Sequence, residues 1–275
     1  MKKLRLAILC LLSILALTLA SNVTAYNADY THTEYSGATA DPTIDGAYVA
    51  GAGSEWVVSL VVPFGTNGYW RDQWSYTDTV RAFLLVETTD GTDDAGDYWE
   101  LCFDGNYDST TAPQSDDHKV RITGHGASQT VQWYVGTGST WQTMAAPATA
   151  SVSFAQALGT SPKIATAHYI LEMSINKQST DMPLNMYWAF RVAYNDAHAG
   201  GNGLQVWPPS TTDTNPGGWG YIIYESTANP NPDVIPEGIG FVAVIALSSI
   251  AVIAGSVLLR KRSITKIASK RTVTI

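Results

Sequence analysis

The chain has 275 residues, 45% of them hydrophobic, with 24 Asp and Glu against 16 Lys and Arg and a formal net charge of −8. All 24 acidic residues fall between Asp29 and Glu237 with only seven basic ones, so this stretch carries −17; that disfavours nucleic acid and anionic lipid as its partners, because polyanions are held by Lys and Arg clusters, and suits cations or neutral ligands such as sugars. The two cysteines, Cys10 and Cys102, exclude a disulfide framework if Cys10 leaves with an export signal.

Residues 1–25, MKKLRLAILCLLSILALTLASNVTA, read as that signal: Lys2, Lys3 and Arg5 precede an apolar run, and Val23-Thr24-Ala25 is a small-residue cleavage site. Residues 26–225 follow as one domain, long enough to bury roughly 70% of the surface its unfolded chain exposes. Short runs rich in Val, Ile, Thr and aromatics recur through it: EWVVSLVVPF, TVRAFLLVETT, DYWELCFD, HKVRITGHG, TVQWYVGTGSTWQTM, ATASVSFAQAL, HYILEMSINKQ, MYWAFRVAYND and WGYIIYE. Gly, Asp, Asn, Ser and Pro separate them, and no amphipathic helical period appears. The pattern predicts an all-β, antiparallel β-sandwich, with QWYVGTGSTWQ as a hairpin closed by Gly-Thr-Gly-Ser.

Residues 226–238, STANPNPDVIPEG, read as a Pro-rich stalk. Residues 239–259 are an uncharged 21-mer, about 32 Å as a helix, which spans a bilayer core of roughly 30 Å. The basic stretch 260–275 behind it reads as a cytoplasmic tail. Both ends therefore predict a single-pass protein of the cell membrane whose N-terminal domain is extracellular.

Within the domain, DYWELCFDGNYDSTTAPQSDDHKVRI leads a strand into a turn crowded with Asp and Asn. Asp104, Asn106 and Asp108 stand at alternate positions and Asp116 and Asp117 close the turn, so hard oxygens could converge on Ca²⁺. The spacing begins like an EF-hand loop and departs from it at Ser109 and Ser115. A solvated turn built from residues that tolerate turn geometry explains the same composition. Asp90, Asp93, Asp94 and Asp97 form a neighbouring acidic turn. Glu100 and Glu172, each in an apolar strand, are the best pair for a glycosidase, which needs two carboxyls flanking one bond; each serves equally as a structural partner for an arginine. No Gly-x-Ser-x-Gly or His-Glu-x-x-His occurs.

Nine Trp and fourteen Tyr point elsewhere. Sugar-binding proteins use flat indole faces against pyranose rings, with a few polar groups fixing orientation. GYWRDQWSY and QVWPPSTTDTNPGGWG read as polar, Gly-bounded loops that carry Trp70, Trp74, Trp207 and Trp219, with Arg71, Gln73, Gln205 and Asn215 nearby for hydroxyl contacts. Trp56, Trp133 and Trp188 lie in apolar strands and read as core. A third chemistry is b-type haem, for which Met173, Met182, Met186, Lys177 and His168 are the axial candidates; strand core explains the methionines as well.

Taken in order, Ile44-Asp45-Gly46 with Trp56, the strand Glu100 to Asp104 entering its acidic turn, Glu172 in Tyr-x-x-Glu-x-x-Ile, and Trp207-Pro208 with Trp219-Gly220 resemble the family 9 carbohydrate-binding modules. The same landmarks are similar to the related haem-binding sandwich subunits of dimethyl-sulfoxide-reductase-type enzymes. The resemblance spans about residues 41–225 and implies a jelly-roll-like sandwich that binds sugars, metals or haem. IPEGIGFVAVIALSSIAVIAGSVLLRKR is similar to the archaeal PEF-type sorting signal, with Gly238 in place of its Phe. The expected function is a non-catalytic, surface-anchored module that binds glycan or serves as an envelope structural element; a haem-binding redox module and a glycoside hydrolase are the alternatives.

Overall fold

The computed structural model describes residues 28–34, 41–49, 55–56, 59–75 and 80–224, all within one unit, Thr24–Pro230. The expected signal, stalk, apolar 21-mer and tail lie outside the described residues; among those described, no helix is long and apolar enough to cross a membrane.

Thirteen strands are described: β1 Thr31–Glu34, β2 Val62–Phe64, β3 Gly68–Trp74, β4 Arg81–Glu87, β5 Tyr98–Asp104, β6 Asp117–Thr123, β7 Thr130–Gly136, β8 Trp141–Met144, β9 Val152–Gly159, β10 His168–Asn176, β11 Tyr187–Asp196, β12 Gly203–Trp207 and β13 Gly220–Tyr224. One sheet of eight runs β1-β13-β11-β5-β6-β7-β8, with β12 also paired to β11; the other runs β2-β3-β4-β10-β9. The expected sandwich is present, with one correction: β1 pairs β13 in parallel, Thr31 opposite Tyr221 through Glu34 opposite Tyr224, so the larger sheet is mixed. The expected hairpin is β7–β8, closed by the Thr137 N–H donating to Thr140 O at 2.9 Å.

Alternation sorts the side chains, because successive strand residues face opposite sides. In β5, Trp99, Leu101 and Phe103 enter the core between the sheets, where they meet Leu171, Met173 and Ile175 of β10 and Trp188, Phe190, Val192 and Tyr194 of β11. Tyr98, Glu100 and Cys102 of β5 are left for the outer face of the larger sheet.

The outer face of the smaller sheet is covered. Trp56, with Ile44 and Tyr48 packed beside it, seals Phe83, Leu85 and Ile170. Glu172 fastens this segment: its carboxylate accepts the Asp45 and Gly46 N–H groups at 3.0 and 2.9 Å and the Trp56 indole N–H at 2.7 Å. Gly46 has φ +81°, and a Cβ there would sit 2.5 Å from the Ala157 backbone nitrogen, so only glycine fits the approach. Three of the sequence landmarks, Ile44-Asp45-Gly46, Trp56 and Glu172, are thus parts of one clasp.

Candidate functional site

Three of the four expected stacking tryptophans are interior, which corrects the expectation. Trp70 is 0%, Trp207 4% and Trp219 1% exposed. Trp70 and Trp207 pack on each other with ring centroids 4.7 Å apart, and both meet Phe190. Trp207 also presses on Gly220, where a Cβ would come within 2.0 Å of its ring. For Trp70 and Trp207 the reason is that GYWRDQW and GLQVW are strands β3 and β12, not loops; Trp219, just before β13, is buried instead on the outer face of the larger sheet, against Cys102 and Ala189 with Trp141 stacked on it. Alternation in β3 sends Trp70, Asp72 and Trp74 inward and Arg71 and Gln73 outward. Those outward groups are buried as well, Arg71 on Glu87 at 3.2 Å and Gln73 donating to Glu55 O at 3.0 Å. Gln205 accepts the Thr66 N–H at 2.8 Å. Trp74 keeps partial exposure but stacks on Tyr224, with Lys177 5.7 Å from its ring centroid.

The two glutamates do not form a pair. Glu172 faces out of the smaller sheet and Glu100 out of the larger one, so both sheets, packed roughly 10 Å apart, stand between them. Burial pushes the Glu172 carboxyl up to about 7 against its three donors. The haem candidates separate likewise. Met173 lies in the core, whereas His168 on the opposite face of β10 has Nδ1 on Thr166 O at 2.8 Å and Nε2 on Glu87 at 3.2 Å. Met182 is buried and Met186 is 58% exposed.

The acidic turn does gather carboxylates. Asp104 and Asp117 are cross-strand partners at the mouth of the β5–β6 hairpin, and together with Asp116 they bring one oxygen each to within 4.8 Å of one another. Asp104 accepts the Tyr107 and Ser109 N–H groups at 2.6 and 3.3 Å, and Asp117 accepts the Gln114 N–H at 2.6 Å. Asp117 Oδ1 and Asp116 Oδ2 are buried without a hydrogen-bond partner among the described residues. Burial and mutual repulsion, with Asp108 contributing, push Asp104 up to about 6 and Asp117 up to about 8, and raise Asp116. Of the four ligands expected, Asp104 and Asp116 converge; Asn106 and Asp108 stay exposed on the turn, where the Asp108 N–H donates to Asn106 at 2.9 Å. Asp117 completes the group. Its place opposite Asp104 follows from the hairpin register, which the sequence spacing does not reveal.

The outer face of the larger sheet collects what a ligand site needs, and no apolar run marks it. Glu100 stands at its centre, bonded to Arg191 at 2.8 Å and flanked by Arg121 at 3.4 Å and Lys119 at 4.0 Å. The Arg121 guanidinium lies 3.9 Å from the Tyr98 ring centroid, and the Lys119 ammonium lies 4.5 and 5.0 Å from those of Tyr134 and Trp141. Residues 208–219 fold over one side of this face. Asp213 takes Lys119 at 2.7 Å, its carbonyl accepts the Trp141 indole N–H at 3.0 Å, and Thr212 O accepts that of Trp219 at 2.9 Å. Tyr98, Tyr134, Trp141, Arg121 and Asp213 all remain partly exposed. The result is a set of partly exposed rings held among charged side chains and backbone carbonyls.

No protein-family profile matches the sequence, and no curated protein matches it. Among solved structures, the chain is similar to a family 9 carbohydrate-binding module from Caldicellulosiruptor kristjanssonii in complex with cellotriose. The TM-score is 0.48 and the identity 17%, over 74% of this chain and 98% of that one. It is also similar to a family 9 module from the same organism in complex with glucose, with TM-score 0.47 and 19% identity over 73% of this chain and 100% of that one.

Proposed function

We propose that the domain is a non-catalytic glycan-binding module, displayed at the cell surface by its signal and apolar anchor, which holds saccharide on the outer face of the larger sheet. The observation that carries this is the convergence of Tyr98, Tyr134 and Trp141 with Arg121, Glu100 and Asp213 on that one face. Ring faces and edges suit pyranose C–H groups, and the charged side chains around them suit hydroxyls. The placement of Glu100 and Glu172 on opposite faces favours binding over hydrolysis. The net negative domain favours a neutral sugar.

A divalent cation belongs to the same reading, held by Asp104, Asp116 and Asp117. Three carboxylates so close, with buried unpartnered oxygens, are stabilised by a hard cation, for which oxygen donors are the matching set. The cation's role here is structural, closing the β5–β6 hairpin.

A glycan array probed with the purified chain, with and without Ca²⁺, tests the reading. Glucose and cellotriose, the ligands of the two similar modules, head the panel. Binding to neutral glycans that Arg121→Ala weakens about tenfold or more supports it; a blank array, or binding indifferent to Arg121→Ala, counts against it.

A further inference from the structure

We infer that the same face carries a second stacking platform, Tyr107–Tyr221–Tyr187, so that the ligand is an extended neutral saccharide chain rather than a single terminal sugar. This rests on the glycan-binding reading above.

Tyr187 opens β11, Tyr221 lies on the neighbouring β13, and Tyr107 stands on the turn between β5 and β6. The Tyr107 and Tyr221 ring centroids are 4.1 Å apart with planes 26° from parallel, and those of Tyr187 and Tyr221 are 5.9 Å apart at 32°. Tyr187 is 42% exposed and Met186 beside it 58%, while Trp188, the next residue of the strand, is fully buried. Alternation therefore leaves a patch of flat rings at the surface, not a spill of the core.

The backbone is arranged to place one of those rings. Tyr107 and Ser109 have φ +58° and +52°, a left-handed conformation that non-glycine residues adopt at a cost. Asp104 holds both, accepting one N–H on each carboxylate oxygen, and the outcome is Tyr107 laid against Tyr221. Asn106, Asp108 and Asn185 are exposed along the rim, Asn185 fixed by its N–H to Gly105 O at 2.8 Å. These are hydroxyl-binding groups without a basic cluster, so a neutral sugar chain fits them and an anionic one does not.

The two platforms lie on one face in the order β13-β11-β5-β6-β7-β8. Trp141 on β8 and Tyr221 on β13 stand five strands apart in the sheet, and the buried cluster of Cys102, Ala189 and Trp219, with Trp141 stacked on it at 6.4 Å and Tyr107 packed against it, lies between the two platforms. Each platform therefore takes its own sugar ring, and one chain reaches both by running past that cluster. Between them runs the 208–219 segment with exposed Thr212, Thr214 and Asn215, polar groups that suit the middle of a chain.

Affinity of the purified full-length chain for β-glucan, xylan and mannan ladders, each from monosaccharide to hexasaccharide, tests this. The expected result is at least about tenfold tighter binding of the longest member than of the monosaccharide in one ladder. Tyr187→Ala and Tyr221→Ala should each remove that gain and leave monosaccharide affinity unchanged, while Tyr221→Phe, which keeps the ring, retains it. Length-independent binding that Trp141→Ala abolishes and the tyrosine variants do not alter overturns the second platform alone. No binding to any ladder, at unchanged melting temperature, overturns both it and the reading it rests on.

Discussion

Asp104 and Asp117 face each other across a ladder where like charges repel, and their carboxyls rise to about 6 and about 8. In the unfolded chain an Asp releases its proton near pH 4. Between roughly pH 4 and 8 the folded protein therefore holds protons that the unfolded one has lost, and stability falls as pH rises through that window. Without divalent cations, the melting temperature at pH 5 should exceed that at pH 8, and Asp117→Asn should flatten the difference. Added Ca²⁺ should raise the melting temperature at pH 8, since a ligand of the folded state alone stabilises it by RT ln(1 + [L]/Kd). A melting temperature that neither Ca²⁺ nor chelator moves, with a pH dependence that Asp117→Asn leaves unchanged, would make the turn a solvated one. The acidity of this turn was plain in the sequence. Which oxygens meet was not, because it is the pairing of Asp104 with Asp117, thirteen residues on, that selects them.

At the scale of elements, apolar runs declared their strands and polar ones concealed them. The β4, β5, β10 and β11 runs read directly because one whole face of each is apolar or aromatic. The β3 run, GYWRDQW, carries Arg71, Asp72 and Gln73, all buried, and so imitates a loop; Glu87 pairs with Arg71, His32 lies 2.6 Å from Asp72, and Gln73 donates to Glu55 O. The run EWVVSLVVPF, read as one strand, contributes Val62–Phe64 as the strand among its described residues, and Trp56 near its start belongs to the clasp. That clasp gives a prediction. Glu172→Ala removes the acceptor of three N–H groups, at about 1–3 kcal/mol for a buried donor left unsatisfied. It should lower the melting temperature and open residues 41–49 to limited proteolysis while sparing the larger sheet; an unchanged digestion pattern would deny the clasp its role.

For the whole molecule, the two-sheet class was legible because alternation and turn residues are local signals, and the parallel β1–β13 edge was not, because it joins residues 31–34 to 221–224. The termini add a separate prediction. Protease applied to intact cells should digest residues 26–237 and spare the 260–275 tail; a protected domain would overturn surface display. The central claim is that the sugar sits on the larger sheet's outer face and that the tryptophans at the heart of the sandwich only hold it together. Melting and glycan affinity measured side by side for Trp141→Ala and Trp70→Ala test it most directly. Trp141→Ala should abolish binding and cost less stability than Trp70→Ala, because Trp141 is only partly buried although it stacks on Trp219 and donates to Asp213 O; Trp70→Ala should cost about 3–5 kcal/mol of stability, the usual cost of emptying a core aromatic. Full glycan affinity in a stably folded Trp141→Ala protein would contradict the account.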